Sequence, residues 1–260
     1  MIGEFYRMKI KTKRQKLRMT ILLITLLLFP VVLNYLSPYL IIMGASEGVI
    51  NGSFLVFGLL FLSALFFGRG WCAWVCPAAG IGDVCLMVQT KPVGRKTRWI
   101  KWGVWAIWLT IITLFVIKAG GYQRVDPFYM SEEIVSVTHP EQYVIYYFVL
   151  ASIVGLNLAV GKRGFCHTTC WMAPFMIVGR KISNFFKTPA LRLYTNPSLC
   201  SDCLSCNRTC PMSLDVHQMV KNNVMEHQDC ILCGQCVDGC SKQAIIYRFA
   251  SPQKKLNVIN

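Results

Sequence analysis

Four long apolar stretches alternate with short polar ones along this chain, at about Thr20 to Met43, Val49 to Phe67, Trp99 to Ile117 and Tyr143 to Val160. Each approaches the roughly 20 residues a helix needs to cross a bilayer core. The pattern predicts an α-helical membrane protein with four transmembrane helices. Pro30 and Pro38 fall inside the first stretch, so a kink or a frayed outer end is expected there. Because basic residues precede it, that stretch also invites reading as a secretory signal. Its length and the lack of a small-residue cleavage site favour an uncleaved anchor.

Composition agrees with the pattern. Of 260 residues, 54% are hydrophobic and 15% charged, and the mean hydropathy is +0.46. These values are too apolar for an ordinary soluble domain. The net charge of +15 would suit a nucleic-acid partner, but its distribution argues otherwise. With four spans, 25 of the 27 basic residues lie on one side, and only Lys118 and Arg124 on the other. That is a positive-inside bias, so both termini and all thirteen cysteines are expected at the cytoplasmic face of a multi-pass protein of the cell membrane. The surplus charge also suits anionic headgroups and negative clusters. Nucleic acid is not an expected partner; the bilayer is.

Eight cysteines near the C-terminus form two runs, Cys200-x2-Cys203-x2-Cys206-x3-Cys210-Pro211 and Cys230-x2-Cys233-x2-Cys236-x3-Cys240-Ser241. This is the spacing of bacterial two-cluster ferredoxins, in which the fourth cysteine of each run ligates the other cluster. One [4Fe–4S] cluster is then assigned to Cys200, Cys203, Cys206 and Cys240, and a second to Cys230, Cys233, Cys236 and Cys210. Structural zinc gives no reason for the doubled 2-2-3 spacing, and a disulfide framework belongs in an oxidising compartment. Ser241 replaces the usual proline without removing a ligand. The expected organisation is a basic tail (1–18), a membrane domain (19–192), a two-cluster ferredoxin domain (193–248) and a C-terminal tail (249–260).

The membrane half repeats itself at an offset of 94 residues: Arg69-Gly70-Trp71-Cys72-x3-Cys76-Pro77 follows the second stretch, and Arg163-Gly164-Phe165-Cys166-x3-Cys170 follows the fourth. Each unit is a helical hairpin followed by this motif, which predicts a pseudo-twofold axis along the membrane normal. On a helix, residues four apart face one way, so two motifs offer four sulfurs, Cys72, Cys76, Cys166 and Cys170. Three readings of this set are open: a third cluster, thiols that cycle through a disulfide or bind a redox metal, or simple packing. Arg69 and Arg163 either stabilise such a centre or snorkel to headgroups. Cys85 reads as a small apolar residue. A short stretch after each motif, near Ala78 to Val88 and Pro174 to Phe186, is expected near the interface, the second as an amphipathic helix.

No histidine falls within an apolar stretch, so a transmembrane haem is not expected. His167, inside the second motif, reads as a solvated interface residue, with proton carrier or cluster neighbour as rival roles. Trp99, Trp102, Trp105 and Trp108 recur every third residue, as an interface belt, a packed stripe or the border of a quinone pocket. The outer loop from Gly120 to Gln142 carries Asp126, Glu132, Glu133 and His139, which suits either a solvated acidic loop or a docking surface for a redox partner.

Four spans, a CxxxCP after the second, a related CxxxC after the fourth and a C-terminal two-cluster domain together resemble the NapH family of membrane iron–sulfur quinol dehydrogenase subunits, associated with periplasmic nitrate reductase. They also resemble wider polyferredoxin-like membrane proteins, among them relatives of a nitrous-oxide reductase accessory protein and a cytochrome oxidase assembly factor. The resemblance runs from about Thr20 to Ile246; the second motif departs from CxxxCP, with Trp171 after Cys170. It implies quinol oxidation or quinone reduction at the membrane, with electrons passing through cytoplasmic clusters to or from a partner oxidoreductase. Two rival functions are a metal-reducing or assembly factor acting through the CxxxC thiols and an anchor for a soluble catalytic subunit.

Overall fold

The computed structural model describes residues 12–130 and 135–253. The first basic residues, Glu132 and Glu133, and the end of the C-terminal tail therefore lie outside the described residues. Among the described residues, two helices are long and apolar enough to cross a membrane, Thr97–Lys118 and Pro140–Val160. Their outward faces stay apolar: Ile107, Leu114, Val144 and Phe148 are all exposed. So much contiguous apolar surface is not sustained in water and fits a lipid surround.

The other two apolar stretches fold differently. Within the first, helix α1 (Lys13–Leu27) is capped by Thr12 and stops at Leu28. A short turn at Phe29–Val32, a 3-10 turn at Asn34–Leu36 and helix α2 (Pro38–Ser46) follow. Pro30 and Pro38 each sit at the start of a new helical piece, where the missing N–H costs nothing. Within the second, Val49–Asn51 leaves the helix to form strand β1, and helix α3 runs Gly52–Phe67 with the Asn51 side chain capping Phe54 N at 3.0 Å. At 1.5 Å per residue, its 16 residues span about 24 Å, short of the ~30 Å hydrocarbon core.

Two hairpins share one plan. The first is α1 and α3, the motif, then α4 (Pro77–Cys85); the second is α5 (Ile100–Lys118) and α6 (Pro140–Val160), the motif, then α7 (Met172–Phe185). Each helix after a motif packs on the second helix of the other hairpin, α4 on α6 and α7 on α3. Gly179 allows the second contact, since a Cβ there would lie 2.7 Å from Phe61 O. That crossover buries one side of α7, where Met172, Ala173, Met176, Ile177 and Gly179 are enclosed, while Lys181, Ile182 and Phe185 stay exposed. The far ends of the hairpins are tied by parallel pairing of β1 with β2 (Arg124–Asp126).

The C-terminal unit is closed by antiparallel strands β3 (Ala190–Thr195) and β4 (Ile245–Ala250), so its fold begins at Ala190, inside the stretch expected to end the membrane domain. Between the strands, each cysteine run curls in the same way. The residues on either side of the middle cysteine take left-handed backbone, Asp202 and Leu204 around Cys203, and Leu232 and Gly234 around Cys233. Turning the chain twice in five residues brings three sulfurs toward one point. Leucine bears this at 204 at a cost of about 1–2 kcal/mol. At 234 only glycine serves, because a Cβ would lie 2.7 Å from the Tyr247 hydroxyl.

Candidate iron–sulfur centres

The curled runs enclose two small cavities. One is walled by Cys210, Cys230, Cys233 and Cys236, the other by Cys200, Cys203, Cys206 and Cys240. In each, three cysteines come from one run and the fourth from the other. The two tetrads differ in exposure. Cys210, Cys233 and Cys236 are buried, whereas Cys203 is exposed and its three companions half-buried. Burial pushes the Cys230 thiol up to about 12 and the Cys210 thiol up to about 11, with neighbouring sulfurs adding to the effect. The exposed Cys203 thiol moves down instead, held by the backbone N–H of Ser205. Beside the exposed tetrad, Asp202, His217 and Cys200 offer ligand atoms within 4.8 Å of one another. Lys221 and His217 together lower Asp202 to about 2.

A third set lies between the hairpins. Cys72, Cys76, Cys166 and Cys170 are all buried. Cys170 is raised to about 12 by burial, then by Cys166 and Cys72, and Cys76 is raised well above the usual thiol range by burial, then by Cys72, Cys166 and Cys170. The thiols of the two motifs therefore lie near enough to influence one another. The thioether of Met176 is 3.5 Å from the Cys72 sulfur. Cys85 is buried.

Both motif arginines are buried, so neither snorkels. Arg163 binds Asp83 at 2.6 Å, and Asp83 also holds Arg18 at 2.7 Å. Burial alone would raise the Asp83 carboxyl, but Arg163 and Arg18 overcome it and hold it below the ordinary range. Arg69 reaches Asp229 of the ferredoxin unit at 3.4 Å, and Asp229 is also hydrogen-bonded by Lys101. Each arrangement joins two cations to one carboxylate and carries a net charge of +1 next to the thiols. Sequence reasoning singled out the arginines but missed Asp83, Asp229, Arg18 and Lys101. Asp83 and Lys101 carried a weak signal, as lone charges in apolar surroundings.

Fully buried His167 sits beside them, not in solvent, and both of its ring nitrogens lack a hydrogen-bond partner among the described residues. Burial lowers its pKa to about 3. Of the tryptophans, Trp99 is exposed, whereas Trp108 is buried and donates to Pro38 O at 3.1 Å. Trp102 and Trp105 stack edge-to-face at 5.9 Å.

The ferredoxin unit docks through its buried tetrad. Gln15 donates to Cys233 O at 3.0 Å and Trp74 to Leu232 O at 3.3 Å. Arg163 lies close enough to Cys233 to feel its charge. The tetrads thus follow in order: the inter-hairpin set, the buried ferredoxin set, the exposed ferredoxin set.

Iron–sulfur groups fit these residues on two grounds. Four soft sulfurs gather at each site, and the thiols that burial raises, Cys76, Cys170, Cys210 and Cys230 among them, stay protonated unless a metal takes the proton's place. Two donors of buried Arg69, Nε and Nη2, also lack partners among the described residues, as expected of groups aimed at an anion.

Comparison with known proteins agrees. Residues 199–245 match the family model described as a 4Fe-4S dicluster domain, and residues 51–86, which include Cys72 and Cys76, match that of a 4Fe-4S binding domain. Among relatives, the uncharacterized protein MJ0750 of Methanocaldococcus jannaschii is 22% identical over 72% of this chain and 74% of its own length. RdxA of Cereibacter sphaeroides is 25% identical over 74% of this chain and 44% of its own length. YccM of Escherichia coli, named for electron transport, is 19% identical over 78% of this chain and 57% of its own length. The chain thus spans about half of the last two. No solved structure gives a significant match. The chain is a helical protein with 4Fe–4S domains.

Proposed function

We propose that this chain is a membrane electron-transfer subunit of the NapH type, relaying electrons between the quinone pool and a partner oxidoreductase. The observation that carries the reading is the serial order of the three cysteine tetrads, from one enclosed by apolar helices to one exposed at Cys203. Cys72, Cys76, Cys166 and Cys170 hold the first centre; Cys230, Cys233, Cys236 and Cys210 the second; Cys200, Cys203, Cys206 and Cys240 the third. [4Fe–4S] groups there carry one electron each. The chain's own residues do the rest. Arg69 and Arg163 offset the negative charge at the first tetrad, while Asp229 and Gln15 hold the second against it.

In this reading all four apolar stretches cross the membrane. The first crosses as a broken helix, and the second is lengthened by the extended residues Val49–Asn51. The cysteines and both termini lie on the cytoplasmic side, as the basic residues require. The inner end of the relay then faces lipid, where the available two-electron carrier is a quinol, and the exposed end faces a partner protein. Iron analysis of anaerobically purified protein tests the reading. About twelve iron atoms per chain are expected, and about eight would remove the first centre. Quinol analogues should reduce the clusters.

A second reading is favoured by one contact: the Met176 thioether beside Cys72 completes a soft donor set suited to copper(I). A metal-reducing protein would pass electrons from its clusters to Cu(II) and ignore quinol. Serine at Cys72 and Cys170 would then abolish metal reduction, and quinol analogues would leave the clusters of the native protein oxidised.

A further inference from the structure

A cavity of about 380 Å³ lies beside the first tetrad, within the roughly 300–1,000 Å³ typical of small-molecule sites. Its walls are Phe29 and Leu33 of the broken first stretch, and Ile145 and Val149 of helix α6. Its inner end is formed by Cys76, Pro77 and Ala78 of the first motif together with Trp171 and Met172 of the second. Its mouth lies toward the opposite ends of the hairpins, at Ser37, Tyr39, Met130 and Gln142. Tyr39 and Met130 are exposed, whereas Cys76, Ala78 and Met172 are buried, so the cavity runs from the surface down to the tetrad.

Among the described residues no charged side chain lines it. The walls and inner end are apolar and suit a neutral, mainly apolar molecule. Trp171 and Phe165, edge to face at 5.9 Å, offer an aromatic wall at the inner end. The Ser37 hydroxyl and the Gln142 amide group are neutral and able to bond a carbonyl or phenolic oxygen without a net charge. One wall contributes a thiol of the first tetrad.

We infer that this cavity binds the ring of a lipoquinone, with its isoprenoid tail leaving along Ile145 and Val149 toward the lipid. The inference rests on the relay proposed above, whose first iron–sulfur centre supplies the oxidant. A bound quinol loses two electrons and two protons to become the quinone. An iron–sulfur group held by Cys72, Cys76, Cys166 and Cys170 would take those electrons one at a time, and the protons would leave by the polar mouth. Quinone reduction is the same exchange reversed.

The break at Leu28 acquires a purpose on this reading. A continuous helix from Lys13 to Ser46 would not supply the wall that Phe29, Leu33 and Leu36 form. Ser136, buried and hydrogen-bonded to Val31 O at 2.6 Å and to Asn34 N at 3.0 Å, holds that broken segment in place.

The test uses the full chain, purified anaerobically into nanodiscs, with an azido-quinone as photolabel and iron content measured in parallel. Label is expected on peptides spanning residues 29–40 and 165–172. Val149→Trp fills the cavity from one wall and should lower labelling at least tenfold, while Phe148→Trp, on the exposed face of the same helix, should leave it unchanged. If Val149→Trp loses iron, Leu33→Trp from the opposite wall replaces it. Label elsewhere, or full labelling of a cavity-filled variant that retains its iron, overturns the site. So does equal labelling by an azido fatty acid that displaces the quinone, which makes the cavity an acyl-chain groove. Label in place with iron missing from the first tetrad would instead sink the relay and leave the binding site standing.

Discussion

The two repeats meet the same electrostatic demand with carboxylates from different places. In the half that carries Arg163, the counter-ion is Asp83, from the helix that follows the other motif within the membrane domain. In the half that carries Arg69, it is Asp229, from the ferredoxin unit. At the position of Asp83 in the repeat, the second half has Ile177. One buried arginine is therefore neutralised by the membrane domain itself, and the other only when the soluble unit is docked. Docking of the electron carrier is built into the charge balance of the tetrad it serves.

Asp83→Asn breaks the self-contained half and should have the largest effect. It leaves Arg18 and Arg163 buried without an anion, at a cost of about 3–5 kcal/mol, read as loss of folded protein in thermal denaturation. Asp229→Asn breaks the other half by a similar local amount, but the damage should fall on docking. The ferredoxin unit should become cleavable near Lys187 to Pro189 in limited proteolysis, with its own two clusters retained.

Acid sharpens the contrast. Asp229 is held below its ordinary pKa by Arg69 and Lys101 against the opposing effect of burial. A depressed carboxyl contributes its stability above the unfolded value and loses it as pH falls through the folded one. The difference in proteolysis between native protein and Asp229→Asn should therefore persist from neutral pH to about 4 and vanish below it.

Cys72→Ser and Cys166→Ser ask whether the halves share one centre. Each should remove about four iron atoms per chain; losses from one half alone would mean the motifs act separately. The smallest effect belongs to Arg14→Ala. Its partly exposed pair with Asp238, at 2.5 Å, sits at the edge of the docking surface. It should weaken docking by no more than about 1 kcal/mol, seen as a small shift in the proteolysis rate.

Regular spacing made some of this legible in sequence. The 2-2-3 runs announce chain that must curl around a point, and the 94-residue offset announces paired hairpins. What spacing does not carry is long-range pairing of single charges. Lys101 and Asp229 are 128 residues apart, and nothing local marks either as the other's partner. The break in the first apolar stretch was legible in its prolines, not in its hydropathy. Hydropathy averages over Pro30 and Pro38, whereas the backbone restarts a helix at each. The amphipathic pattern of Met172–Phe185 suggested a surface helix because its apolar side was complete; that side instead covers α3.

The cavity's mouth and the exposed Cys203 lie at opposite ends of the molecule's electron path, and that has an electrical consequence. In the proposed orientation, protons released from a quinol leave on one side of the membrane while its electrons travel toward the other. Each electron moved through the full field would exchange about 2.3 kcal/mol per 100 mV with the membrane potential, and a partial crossing a proportionate share. Quinol oxidation would then charge the membrane, and the reverse reaction would draw on that charge. A chain with this layout works as a molecular battery plate, whose turnover should slow in one direction and quicken in the other when a potential is imposed across sealed vesicles.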